Sequence, residues 1–279
     1  MEKIRKAKWA GQFYTSDPVE LRSQIEQFLV LAQPKEIDRN IFGIIAPHAG
    51  YVYSGPTAAC GYAYLDKKYD NVFVIAPSHA EFFQGVSVYN GDVYETPLGK
   101  LDVNKQLAKK IARAENINLA DHGHANKGGR DEHSLEVQLP FLQVVLGEFK
   151  VVPIVFHEYT IENCEGLAKV IANCCQPNNT LVVASTDLYH GYSYEECARM
   201  DDLTIDVIKN GDAKEFLEGN KTGTYQACGA GPVAVLMALQ KIWDNSTLEL
   251  VARTNSSDIT GIKGDWTVGY ASFVAYQKN

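Results

Sequence analysis

NIFGIIAPHAGYVYSGP, residues 40–56, is the stretch on which the architecture turns. IFGIIA (41–46) is a short, continuous apolar run, the pattern of a strand covered on both faces. It stops at Pro47 and delivers His48, then Ala49, Gly50 and two tyrosines, before Ser54, Gly55 and Pro56 open a helical pattern, SGPTAACGYAYL (54–65). The same buried-strand pattern returns in NVFVIA (71–76), KVVPIVF (150–156) and LVVAST (181–186).

Helical patterns alternate with these strands. Asp17-Pro-Val-Glu20 is a capping box with proline at the first helical position, and Leu21, Ile25, Phe28, Leu29 and Ala32 follow at helical spacing. Further helices are expected near 103–113, over SLEVQLPFLQVVL (134–146) with Pro140 kinking or dividing it, over 160–175, and near 193–209, 212–219 and 230–243. Asn90-Gly91 between alternating apolar residues predicts a two-residue hairpin, and 247–254 and 268–277 read as closing strands. The expected fold is α/β: one domain over residues 1–279, with a mixed, largely parallel sheet flanked by helices.

Composition narrows the function. The 26 basic and 34 acidic side chains are interspersed, give a formal charge of −8 and form no basic stripe, which argues against nucleic acid and anionic membrane as partners. No 18-residue apolar stretch would span a bilayer, and the basic N-terminus MEKIRKAKWAGQFY runs into no apolar signal core. Six cysteines without a C-x-x-C pair suggest reduced thiols and a cytoplasmic location.

Ligands of open α/β sheets bind beyond the carboxyl ends of the strands. Here IIAP leads to His48, VIAPS to His79, VPIVF to His157 and VVAST to Asp187, with His190 three residues on. One histidine after a strand is ordinarily a hydrogen-bonded loop residue. Four such residues at one edge point to a shared site, and a rigid strand end suits a metal ligand. Ala49 and Gly50 would leave open space over the imidazole, and Tyr51 and Tyr53 either wall that pocket or pack as loop aromatics. Cys228, in YQACGAGP just ahead of a helix, is either a small buried thiol or a thiolate favoured by the helix's positive end. Asp187-Leu-Tyr-His190 is either an acid–base pair, the carboxylate fixing the imidazole, or a surface turn. Asp131 reads as a helix N-terminal acid. Glu132 and His133 read either likewise or as supports behind the site, and His122 and His124 as solvated residues of a polar loop.

Read together, AGQFYTSDPVEL (10–21), IIAPHAGYVYSG (44–55), VIAPSHAEFF (74–83), YETPLGKLDVN (94–104), DEHSLEVQLPFL (131–142), ASTDLYHGY (184–192) and ACGAGP (227–232) resemble the Memo family. That family's eukaryotic namesake mediates receptor-driven cell motility. The resemblance implies a fold similar to class III extradiol ring-cleaving dioxygenases, non-haem iron enzymes with two histidines and a glutamate on the metal. Carried over by motif, His48 and His79 match the ligand histidines, Cys228 the glutamate, His190 the acid–base histidine and Asp187 the carboxylate beside it. Ala80 stands where many members have a second histidine, and ACGAGP lacks the Arg-His of the animal proteins. Cysteine in place of glutamate admits copper or zinc beside Fe(II).

Three functions follow as expectations. The first is a metal-dependent redox enzyme acting on a small substrate, though not by ring cleavage. The second is a metal-free hydrolase with Cys228 as nucleophile, His190 as base and Asp187 orienting it. The third is a non-enzymatic protein whose pocket takes a peptide or phosphotyrosine. In each case Tyr51, Tyr53, Glu132 and His133 are expected around the substrate pocket. The resemblance also implies a functional link of microbial members to radical-SAM and AMMECR-type proteins.

Overall fold

Four strands with no exposed residue lie side by side at the centre of the computed structural model, which describes residues 2–34, 39–65, 68–125, 130–210, 212–264 and 266–278. From the N-terminus, the elements are β1 (Ile4–Arg5), α1 (Pro18–Ala32), β2 (Asn40–Ala46), α2 (Tyr51–Tyr62), β3 (Asn71–Pro77), β4 (Val86–Tyr89) and β5 (Val93–Thr96). Next come β6 (Gly99–Asp102), α3 (Lys105–Ile111), β7 (Ile117–Ala120), α4 (Leu139–Leu146), β8 (Val151–Phe156), α5 (Ile161–Cys174) and β9 (Thr180–Ser185). The chain ends with β10 (His190–Gly191), α6 (Tyr194–Asn210), α7 (Ala213–Thr222), α8 (Ala230–Ile242), β11 (Ser246–Asn255), α9 (Ser256–Thr260) and β12 (Thr267–Gln277).

The large sheet runs β10-β12-β2-β9-β3-β8-β4-β7, with β11 paired to β12. β2, β9, β3 and β8 are mutually parallel, while β12 and β4 flank them antiparallel, so the sheet is mixed around a parallel centre. Side chains of the central strands feed two cores. Phe73, Ile75, Val182 and Ala184 face the layer that includes α5 and α8, and Val72, Val74, Leu181 and Val183 the layer of α1, α2 and α4. Burial on both faces explains why these strands read as continuous apolar runs. Gly43 is required by packing, because a Cβ there would come within 2.5 Å of Leu236 on α8.

Several local expectations change. The helix expected from Ser54 starts at Tyr51, with Gly50 as its N-cap, because Phe13 O already accepts the Tyr51 N–H at 2.7 Å. Pro56 therefore lies inside it. Asp17 caps α1 through the Val19 and Glu20 N–H groups, but Glu20 turns to Thr15 rather than completing the box. Pro140 divides its segment into a 3-10 turn, Glu136–Gln138, and α4. The Asn90-Gly91 hairpin does not form: β4 joins the large sheet, and β5 pairs with β1 and β6 in a separate three-stranded sheet. Neither Asn90 nor Gly91 has the positive φ such a turn demands. Gly91 instead makes room for the Tyr89 ring, which a Cβ would overlap. Residues 126–129 of the polar loop lie outside the described residues. Among the described residues no helix is long and apolar enough to cross a membrane, and all six cysteines are free thiols.

Candidate metal centre

β2, β3, β8 and β9 end at one edge, so His48, His79, His157 and Asp187 emerge from adjacent strands. Cys228 reaches the same place from the segment before α8. Its Sγ lies 3.1 Å from His48 Nε2, and the ligand atoms of His48, His79 and Cys228 all fall within 4.8 Å of one another. Two glycines allow this approach. A Cβ on Gly229 would overlap Ser185 O at the end of β9, and one on Gly231 would overlap the Tyr159 ring. Tyr159 Oη in turn donates to Cys228 O at 2.8 Å.

Each imidazole is set by what stands behind it. His48 is buried, and its Nδ1 lies 2.9 Å from Ser185 Oγ. That hydroxyl spends its only proton on Ser134 O, so Nδ1 is the donor and Nε2 turns a lone pair toward Cys228. Gln138 donates to the same hydroxyl at 2.8 Å. His79 gives its Nδ1 proton to Glu132 Oε1, 3.1 Å away. Glu132 is anchored by the N–H groups of His79, Ala80, His133 and Ser134, which leaves it a support rather than a free ligand. His133 leans on His79 with ring centres 5.0 Å apart and lines the adjoining cavity.

The electrostatics follow burial and proximity. Burial, helped by His79 and His133, lowers the His48 pKa well below its ordinary value, so the ring is neutral. Burial would lower His79 too, but Cys228 and Glu132 outweigh it and raise it to about 10. Burial would raise Glu132, yet His133 and His79 hold it well below the carboxylate range. For Cys228 burial raises the pKa against His79, contrary to the helix-end expectation. Two neutral-capable imidazoles and a thiol at ligand spacing form a donor set that a transition metal fits, binding it as imidazole nitrogens and thiolate.

Asp187 does not hold the His190 ring. Its Oδ1 accepts the His48 N–H at 2.7 Å, whereas His190 Nδ1 donates to Leu188 O at 2.9 Å. The carbonyl can only accept, so His190 Nε2 is the basic nitrogen. Both residues line a cavity of about 560 Å³, together with Ala49, Gly50, Tyr53 and His133. Tyr51 is not in its wall. It is buried between α2 and α4, with its hydroxyl donating to Val137 O at 2.7 Å. His157 turns away onto Phe82, with ring centres 4.3 Å apart. His124 is not solvated: it is buried between the Tyr94 hydroxyl (2.6 Å) and Ser87 O (3.0 Å), and burial lowers its pKa to about 3. His122 is exposed, with Nδ1 2.6 Å from Glu81. Sequence reasoning missed Ser185 and Gln138 behind His48, although the serine in VVAST was visible at its strand end. It also missed Phe13 and the wall from Ser256 to Tyr270, for which no local signal exists.

The family profile described as Memo-like protein matches residues 5–274. A MEMO1 family protein of Pyrobaculum aerophilum is 34% identical over 286 residues, covering 99% of this chain and 100% of that protein. One of Nitrosopumilus maritimus is 33% identical (96% of this chain, 98% of that protein), and one of Methanobrevibacter smithii 36% identical (96% and 98%). With the profile and these relatives spanning almost the whole chain, the protein belongs to the Memo-like family.

Proposed function

We propose that this protein holds one metal ion between His48, His79 and Cys228 and uses it in redox chemistry on a small molecule bound in the adjoining cavity. The observation that carries this is the convergence of two histidine nitrogens and one sulfur within 4.8 Å, beside a cavity lined by Asp187 and His133, which touch His48 and His79. Fe(II), first in order, or copper would supply electron transfer and Lewis acidity there, whereas zinc would supply Lewis acidity alone. Glu132 and Ser185 orient the two imidazoles, and His190 Nε2 accepts or returns a proton at the cavity wall. A hydrolase with His190 as base is less well supported, since Cys228 Sγ meets His48 Nε2 and the Asp187 N–H (3.2 Å) rather than His190.

Ring cleavage in the manner of extradiol enzymes is not part of this reading. A thiolate ligand donates strongly and is itself oxidisable. Elemental analysis of protein purified without oxygen tests the metal. Stoichiometric metal is expected in the wild type and His122→Ala, and most of it should be lost in His48→Ala and His79→Ala. Equal loss in all three variants would refute the site. Sustained turnover of catechols by the Fe(II)-loaded wild type would refute the exclusion of ring cleavage, whereas activity only in Cys228→Glu would support it.

A further inference from the structure

The composition of the cavity wall limits what can occupy it. Phe13, Tyr53, Trp266 and Tyr270 give it aromatic faces, with Ile262 and Val268 between them. Among the described residues that line it there is no lysine or arginine. Nearby cations are committed elsewhere: Arg130 lies over the Trp9 ring at 4.6 Å, and Lys263 over Tyr194 at 4.0 Å.

The α2 N-terminus borders the cavity at Gly50, and three of its N–H groups are already taken. The Tyr51 N–H is taken by Phe13 O (2.7 Å), and those of Tyr53 and Ser54 by Gly50 O (2.8 and 3.1 Å). The acidic group in the wall is Asp187, which is 4% exposed. Its Oδ1 is used by His48, while Oδ2 makes no hydrogen bond to a described residue and has His48 Nε2 4.0 Å away.

We propose that the ligand of this cavity is a non-anionic ring compound, neutral or an amine, that lays its flat face on Trp266 and Tyr53 and gives an O–H or N–H to Asp187. Phosphate and carboxylate compounds, phosphotyrosine included, are rejected. Phosphate recognition relies on arginine clusters or several free N–H groups. Among its described residues this wall has no arginine or lysine, and the Tyr51, Tyr53 and Ser54 N–H groups are already taken. An anion here would meet a buried carboxylate, whereas a donor would satisfy its open oxygen. The inference rests on the proposed function for the role of this cavity, whose wall residues Asp187 and His133 touch the metal-ligand candidates His48 and His79.

The test is calorimetric titration of naphthol, naphthylmethylamine, naphthoate and naphthyl phosphate into the protein as purified and after chelation, with metal content measured on the same samples. Naphthol and the amine should bind at least about tenfold more tightly than the two anions. Trp266→Ala, at a half-exposed position that leaves the core intact, should weaken both by about tenfold. Equal or tighter binding of either anion, no binding of naphthol and the amine, or unchanged binding in Trp266→Ala would overturn the proposal. A protein that carries no metal as purified and ranks the ligands as expected refutes the metal reading and supports this one. A metal-loaded protein that prefers the phosphate refutes this one alone.

Discussion

Replacing Glu132 by glutamine probes the support on which the site depends. The carboxylate is 2% exposed and joins two segments. Oε1 accepts the N–H groups of His133 and Ser134 at 2.9 and 3.0 Å and the His79 ring at 3.1 Å, while Oε2 accepts those of Ala80 (3.1 Å) and His79. Glutamine keeps the shape but turns one oxygen into an NH₂ facing N–H donors. Two charge-assisted bonds, about 1.5–3 kcal/mol each, are lost at that oxygen, so stability should fall by about 3 kcal/mol or more. With the His79 ring held by a neutral amide oxygen in place of a carboxylate, metal affinity should drop by about 10–100-fold.

The stability effect has a pH signature. A carboxylate held below its ordinary value of 4.5 contributes fully above that value and loses its contribution as pH falls through the depressed one. The gap between wild type and Glu132→Gln should therefore be widest near neutrality and shrink in acid. Urea unfolding across pH and competition with a chelator measure the two quantities. A folded Glu132→Gln protein with wild-type metal affinity would refute the reasoning.

Gly229→Ala should displace Cys228, since the new Cβ overlaps Ser185 O, costing about 1–3 kcal/mol and most of the bound metal; wild-type metal content would show that the close approach is unnecessary. Asp201 is buried against Tyr189 and Cys197, and burial raises its pKa from 3.8 to about 6. Its contribution to stability is thus present below about pH 3.8 and lost as pH rises through about 6, a difference of about 3 kcal/mol, so Asp201→Asn should flatten that slope in unfolding curves at pH 4 and pH 7. His124→Ala should cost about 2–4 kcal/mol in thermal or urea unfolding, because it leaves a cavity and strips Tyr94 and Ser87 of partners. The exposed His122→Ala should stay within about 0.5 kcal/mol.

The four parallel strands and the residues at their ends were legible because both signals are local. An apolar run marks a strand covered on both faces, and the first polar residue after it must lie at the sheet edge. Local patterning failed where a distant partner competed. Asn90-Gly91 has the composition of a hairpin turn, yet Lys3 O captures the Asp92 N–H and Ala120 O the Asn90 N–H, drawing the two strands into different sheets. Tyr51 and Tyr53 sit two apart, and the start of α2 at Gly50 decides that one enters the core and the other the cavity.

Asp187 and His190 look paired along the chain, but the turn between them leaves His190 to its neighbour's carbonyl and gives Asp187 to His48, 139 positions earlier. Cys228 stands 180 positions from the imidazole it meets. The sequence determined which side chains reach the sheet edge, since strand length and polarity are written residue by residue. Only the tertiary structure decided which of them face one another. That choice depends on strand order, on glycines that let backbones approach, and on hydrogen-bond acceptors brought in from remote segments.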